Sequence, residues 1–262
     1  MALFVAGLAG AFLVALVLGR ALDVEARTVA GPSHGDETAH GEGTAGHEAA
    51  APAGLAVEVD GYRLVAEREA LVAGRAEPYA FRILGPGGEV VRDFDVEHER
   101  RLHLIVAGRT PNTHFLHVHP EQRADGSWTV PLELPVNGSY RVFADFTTAG
   151  ERRTLGVDLS GHGGPGEGPA QLTRYDVELH GHGDRLEFAV HDGASPVQVE
   201  PYLGALGHLV VLREGDLAYI HAHADADELA FDVPFPGSGR YRAYLQFQFG
   251  GKVETAYFEL QR

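Results

Sequence analysis

Short runs of alternating apolar and polar residues, separated by turn signals, fill the chain from residue 55 onwards. The turn signals include Gly-Pro-Gly-Gly at 85–88, Asp-Gly at 125–126 and Asn-Gly at 137–138. No part of this region has the period of an amphipathic helix. About seven to nine short strands per hundred residues are typical of a β-sandwich, so the pattern predicts an all-β fold of immunoglobulin-like or cupredoxin-like type.

The second half of the chain repeats the order of the first. Three histidines recur in register, 104 or 105 residues apart: His103, His117 and His119 in the first copy, and His208, His221 and His223 in the second. Residues 140–146 match residues 241–247 in their alternation and their aromatic ends. The repeat predicts two tandem sandwich domains, at 55–160 and 171–262, joined by a Gly/Pro linker at 161–170.

The N-terminal region differs from the rest. Eighteen residues between Met1 and Arg20 carry no polar side chain and span roughly 27 Å as a helix, which predicts a transmembrane anchor at 1–20. The sandwich domains would then lie on the extracytoplasmic side of a single-pass membrane protein. Small residues at 24–26 keep open a cleaved signal segment and a secreted protein. The composition of residues 21–54 predicts a flexible linker that contains several histidines.

Composition narrows the possible chemistry. The net charge is -16 and Lys252 is the only lysine, so the chain lacks the basic surface that nucleic acids require and favours cations as partners. There is no cysteine, and the only methionine is Met1. Thiolate zinc sites, blue-copper centres and thioether ligands are therefore excluded, and any metal must be held by nitrogen and oxygen.

Each histidine set contains a His-x-His pair, and residues i and i+2 of a strand point to the same face. Closing the turn at 213–216 pairs Leu212 with Leu217 and places His208 opposite His221. In the first copy, a turn at 108–112 places His103 opposite His117 in the same way. We therefore expect three imidazoles on one face in each copy, within reach of one ion.

Three imidazole ligands suit Cu²⁺ or Zn²⁺, with a fourth position left to water, a carboxylate or another histidine. His98, in the segment Glu97-His98-Glu99, is the candidate for a fourth ligand in the first copy. The second copy has no histidine at the corresponding place, so we expect the two sites to differ in coordination or affinity. Metal ions are the expected ligands, and the protein partner is left open.

Several motifs carry a family resemblance, among them His103-Leu-Ile-Val, His117-Val-His119-Pro, Pro201-Tyr-Leu-Gly and His208-Leu-Val-Val. In these motifs the chain resembles a group of uncharacterised bacterial exported or membrane-anchored proteins with duplicated domains. The likeness extends over nearly all of 55–262. Such proteins carry provisional heavy-metal-binding or secreted-protein labels, and the resemblance implies export and a β-sandwich architecture.

The sequence is compatible with three functions. The first is a membrane-anchored, extracytoplasmic metal-binding protein that is not an enzyme and buffers or delivers Cu²⁺ or Zn²⁺. The second is a zinc-dependent hydrolase, for which Glu99 or Glu121 would have to serve as general base. The third is an adhesion or assembly module in which the histidines pack or respond to pH.

Overall fold

The computed structural model describes residues 52–110, 114–166, 172–225 and 227–262. These residues all fall in one compact unit, Ala49–Arg262. They form strands, turns and irregular segments, and no helix in these ranges is long and apolar enough to cross a membrane. The predicted anchor at 1–20 and most of the predicted linker at 21–54 lie outside the described residues.

The first repeat is a sandwich of two sheets. Its strands are β1 (Glu58–Val59), β2 (Tyr62–Ala66), β3 (Ala70–Val72), β4 (Ala76–Leu84), β5 (His103–Gly108), β6 (Phe115–Val118), β7 (Glu121–Gln122), β8 (Trp128–Glu133), β9 (Gly138–Thr148) and β10 (Glu151–His162). One sheet has the order β1-β2-β4-β8-β7, and the other β3-β10-β9-β5-β6. This is the immunoglobulin arrangement, with β3 running parallel to the last strand, β10.

The second repeat has the same plan with fewer strands. They are β11 (Asp176–His182), β12 (Arg185–Asp192), β13 (Ser195–Pro196), β14 (Gly207–Arg213), β15 (Tyr219–His223), β16 (Ala230–Asp232), β17 (Arg240–Phe249) and β18 (Lys252–Gln261). The small sheet joins β11, β12 and β13, with β16 also paired to β12, and the large sheet has the order β15-β14-β17-β18. The prediction of two tandem all-β, immunoglobulin-like sandwiches is confirmed.

Both repeats have a tyrosine corner, in which a tyrosine near the start of a strand bonds to the backbone upstream. The hydroxyl of Tyr140 donates to the carbonyl of Val136 at 2.8 Å, and that of Tyr241 donates to the carbonyl of Gly237 at 2.6 Å. The two pairs occupy equivalent places in the duplicated sequence. They fix the entry of β9 and β17, which are the strands beside the histidine-bearing β5 and β14.

Three hydrophobic clusters hold the unit together. Two of them fill the interiors of the two sandwiches. The third combines residues of both repeats, such as Ile105 and Phe143 with Val210 and Tyr244. The large sheets therefore pack against each other, and β5 and β14 are buried on both faces, which explains their unbroken apolar runs.

Candidate metal centre

The six duplicated histidines form two groups on the facing large sheets. The first triad is His103, His117 and His119, on and beside β5 and β6, and the second triad is His208, His221 and His223, on β14 and β15. In each triad, one nitrogen from every ring lies within 4.8 Å of the others. The structure thus brings together the three histidines that the sequence grouped in each copy.

The predicted strand register is wrong by two residues in both hairpins. In the second repeat His208 pairs with His223, and Val210 is opposite His221. In the first repeat the residue opposite His117 is Ile105. Because side chains alternate with a period of two, a shift of two residues keeps every histidine on its expected face. The predicted grouping of three histidines is therefore correct although the predicted strand register is not.

Both hairpin turns are longer than the turns predicted at 213–216 and 108–112. In the second hairpin Asp216 accepts a hydrogen bond from the amide of Ala218, and Leu217 has a left-handed φ of 65°. Leu217 and Ala218 therefore belong to the turn, and the first strand pair is Leu212 with Tyr219. The first hairpin likewise pairs Ala107 with Phe115.

The two triads are close neighbours. The ring centroids of His103 and His221 are 5.1 Å apart, and those of His117 and His221 are 5.2 Å apart. His117 also lies 5.8 Å from His208. The duplication has therefore produced a single histidine cluster between the repeats, where the sequence predicted one separate site in each copy.

Hydrogen bonds fix two rings of the second triad. Nδ1 of His221 donates to Oδ2 of Asp145 at 2.9 Å, and Nε2 of His208 donates to the carbonyl of Tyr202 at 2.9 Å. Each bond uses one ring nitrogen, and the other nitrogen of each ring has no hydrogen-bond partner among the described residues. A carboxylate or carbonyl behind a ligating histidine is the usual support of a metal site.

The first triad is held differently. Nδ1 of His117 donates to Oε1 of Gln246 at 2.8 Å, and Nε2 of the same ring lies 3.0 Å from Nδ1 of His103. With its Nδ1 protonated, His117 accepts at Nε2 the hydrogen bond that His103 donates. One ligand lone pair of this triad is therefore engaged within the triad itself.

The ring of His98, the predicted fourth ligand of the first copy, lies against the second triad and is not grouped with the first. It occupies a tight turn with Glu99, in which both residues have positive φ, 47° and 63°. Its ring stacks on His223 of the second triad, with centroids 3.5 Å apart and planes at 17°. The turn carries His98 across to the other repeat because the two large sheets face each other.

Five ring nitrogens of the triads are buried without a hydrogen-bond partner among the described residues: Nε2 of His103, His119, His221 and His223, and Nδ1 of His208. An unpaired buried polar atom costs about 1–3 kcal/mol, and native proteins rarely tolerate a group of them. A metal ion is a ligand that satisfies several imidazole lone pairs at once.

Burial also lowers the pKa of five triad rings, those of His103, His117, His119, His208 and His223. It lowers the pKa of His119 and of His208 to about 4, and that of His103 to about 2. Burial and the charges of neighbouring histidines hold the pKa values of His117 and His223 well below the usual range. These imidazoles are therefore in the form that binds metal at pH 7.

Two residues that support the histidines were not predicted from the sequence. Asp145 lies on β9 opposite His103, and Gln246 lies on β17 opposite His208, and both are buried. The signal was present, since they are equivalent members of the matched runs 140–146 and 241–247. Each of them supports a histidine of the other repeat, and that exchange is visible only in three dimensions.

The duplication is also recovered by comparison with known families. A family model described as Domain of unknown function (DUF8832) matches residues 57–162 and again residues 170–262. The chain belongs to the DUF8832 family. The double match confirms the predicted internal repeat, whereas the family's description gives no support to a heavy-metal label. Among curated proteins, none matches the chain.

Solved structures with a similar chain trace include fibronectin type III domains and an adhesin. A two-domain fibronectin type III segment of chicken tenascin has 11% identity and a TM-score of 0.25 over 76% of this chain and 97% of that one. The Escherichia coli adhesin FdeC has 11% identity and a TM-score of 0.28, over 79% of this chain and 66% of that one. TM-scores this low support no conclusion about function.

Proposed function

We propose that this protein is an extracytoplasmic, membrane-anchored metal-binding protein that buffers or delivers Cu²⁺ or Zn²⁺ through its histidine triads. The observation that carries the proposal is the group of five buried imidazole nitrogens that find no hydrogen-bond partner in the described part of the chain. Three facing nitrogens in each triad match the number of protein ligands that Cu²⁺ and Zn²⁺ commonly take. The net charge of -16 adds a general attraction for cations.

Binding without catalysis is favoured because five ring nitrogens of the triads are buried from solvent. The cavity beside His103 and His223 has a volume of about 10 Å³, about the space that one water molecule needs. A hydrolase needs an open coordination position that a substrate can reach. A closed site suits a protein that holds or passes on an ion.

The test is metal uptake by the purified full chain. Zn²⁺ and Cu²⁺ would be titrated by calorimetry, and the bound metal measured after dialysis. The double variant His117→Ala/His119→Ala should lose uptake at the first triad. A matched control is His180→Ala/His182→Ala, because this exposed His-x-His pair on β11 lies outside both triads. If the wild type takes up neither ion at micromolar concentration, the proposal fails.

The same preparation tests the competing functions. Turnover of an ester or phosphoester that EDTA abolishes would favour the zinc hydrolase. Specific binding to another protein, with stability independent of metal, would favour the adhesion or assembly module. The anchor is tested by membrane fractionation of the expressed chain and by N-terminal sequencing, which would reveal cleavage near residues 24–26.

A further inference from the structure

We propose that the two triads are unequal halves of one two-ion centre, in which the second triad is the tight subsite and the first triad the weak, exchangeable one. This inference rests on the proposed metal-binding function. It differs from two independent sites, one in each domain, because each half depends on a residue of the opposite repeat.

The support behind the second triad is a carboxylate. Asp145 accepts a hydrogen bond from His221 at Oδ2, and Arg152 donates to its Oδ1 at 3.0 Å and to its Oδ2 at 2.6 Å. Asp145 is buried, whereas the side chain of Arg152 is 41% exposed. The positive charge is therefore partly solvated, while the fixed carboxylate makes the imidazole of His221 a stronger donor to an ion.

The support behind the first triad is a neutral amide. Gln246 accepts from His117, and its own amide nitrogen donates to Thr255 at 3.3 Å. An amide raises the basicity of an imidazole less than a carboxylate does. An ion must also break the hydrogen bond between His103 and His117 before both rings can bind it. Both effects lower the affinity of the first triad.

The second triad is also better prepared for an ion. Hydrogen bonds to Asp145 and Tyr202 fix the tautomers of His221 and His208, and both free nitrogens are buried and unpaired. The stack of His98 on His223 restrains the third ring. Little reorganisation is needed to bind an ion there, so binding costs less entropy than in the first triad.

Occupation of one triad opposes occupation of the other. Rings of the two triads approach to about 5 Å between centroids, in a buried region where charges are weakly screened. Two divalent cations held by these adjacent triads would repel each other. We therefore expect one tight binding event and a second that is at least tenfold weaker.

The test is calorimetric titration of the full chain with Zn²⁺ in three forms: wild type, Asp145→Asn and Gln246→Glu. Asp145→Asn should weaken the tight event by about 10–100-fold and leave the weak event in place. Gln246→Glu places a carboxylate behind His117 and should strengthen the weak event. Circular dichroism of each variant checks the fold, and Gln246→Glu keeps the test decisive if Asp145→Asn fails to fold.

Assignment of the events uses the two triad variants. His221→Ala/His223→Ala should remove the tight event, and His117→Ala/His119→Ala the weak one. EPR of bound Cu²⁺ should then change its hyperfine pattern with Asp145→Asn only when the second triad is occupied. Two equal events, or equal weakening of both by Asp145→Asn, would overturn the inference while leaving metal binding intact. Absence of any uptake would instead refute the proposed function.

Discussion

The ring of Phe115 in the first repeat stacks on the ring of Tyr244 in the second, with centroids 4.3 Å apart and planes at 8°. The equivalent residues make the reciprocal pair, since Tyr219 stacks on Phe143 at 4.9 Å. Each repeat thus presents the same patch to the other, as the subunits of a twofold-symmetric dimer do. The histidine cluster lies in this same interface.

Removal of an aromatic ring at the interface should destabilise the protein. Phe143 is fully buried, so Phe143→Ala should lower the free energy of unfolding by about 3–5 kcal/mol. Urea denaturation followed by circular dichroism measures this change. Val57→Ala is the control, because Val57 is 46% exposed and its truncation should have little effect. Similar losses in the two variants would refute the packing argument.

Loss of a tyrosine-corner hydroxyl should cost less than loss of a ring. In Tyr241→Phe one hydrogen bond to Gly237 disappears, and we expect a loss of about 0.5–1.5 kcal/mol. Tyr140→Phe should cost more, because its hydroxyl also accepts a bond from the amide of Val136 at 3.3 Å. Chemical denaturation compares these variants with Tyr257→Phe, whose hydroxyl bonds to the exposed Glu259. The order would be contradicted if Tyr257→Phe were the most damaging.

The metal-free protein should lose stability in mild acid. Histidines have a pKa near 6.5 in the unfolded chain, whereas folding lowers the pKa of His119 and His208 to about 4. Below pH 6.5 the unfolded state therefore binds more protons, and the free energy of unfolding falls as pH falls towards 4. Urea denaturation with EDTA between pH 7.5 and 4.5 measures the slope.

The interpretation of the acid experiment depends on the charge of Asp145 and on a control variant. The pKa of Asp145 is held far below the usual range: burial raises it, but the hydrogen bonds from His221 and Arg152 outweigh burial. This carboxylate therefore adds to the slope only below about pH 5, where the unfolded aspartate begins to bind a proton that the folded one does not. The exposed pair variant His180→Asn/His182→Asn should show the wild-type profile. A stability that stays constant from pH 7.5 to 5 would exclude neutral, buried triads.

Metal addition should stabilise the folded chain, because an ion bound by the triads has no comparable site in the unfolded state. At a free ion concentration of about 100 times Kd, the free energy of unfolding should rise by about 2.7 kcal/mol. Thermal unfolding with Zn²⁺, before and after EDTA, measures the effect and its reversal. An equal rise in a variant without the second-triad histidines His221 and His223 would point to nonspecific binding.

The amino-acid pattern was sufficient for the fold class and the duplication. Alternating runs and turn dipeptides identify β-sandwiches because side-chain direction in a strand depends on local period alone. The same local rule placed His117 and His119 on one face, and likewise His221 and His223. The grouping of the triads was correct even though the register was not.

Turn geometry set the strand register, and residue spacing alone does not determine turn geometry. The side chain of Asp216 and the left-handed Leu217 lengthen the second turn by backbone contacts that spacing does not reveal. A shift of two residues in the strand register keeps each side chain on the same face of the sheet. The predicted grouping of the histidines is therefore correct despite the wrong register.

The packing of one repeat on the other could not be predicted from local sequence pattern, because it depends on tertiary contacts. It merged two separate triads into one cluster, placed His98 against His223, and put Asp145 behind His221. These contacts join residues of different repeats, and their sequence separation carries no periodic signal. Local pattern therefore determined which side chains share a strand face, while the docking of two duplicated surfaces determined which faces meet and which residues support the histidines.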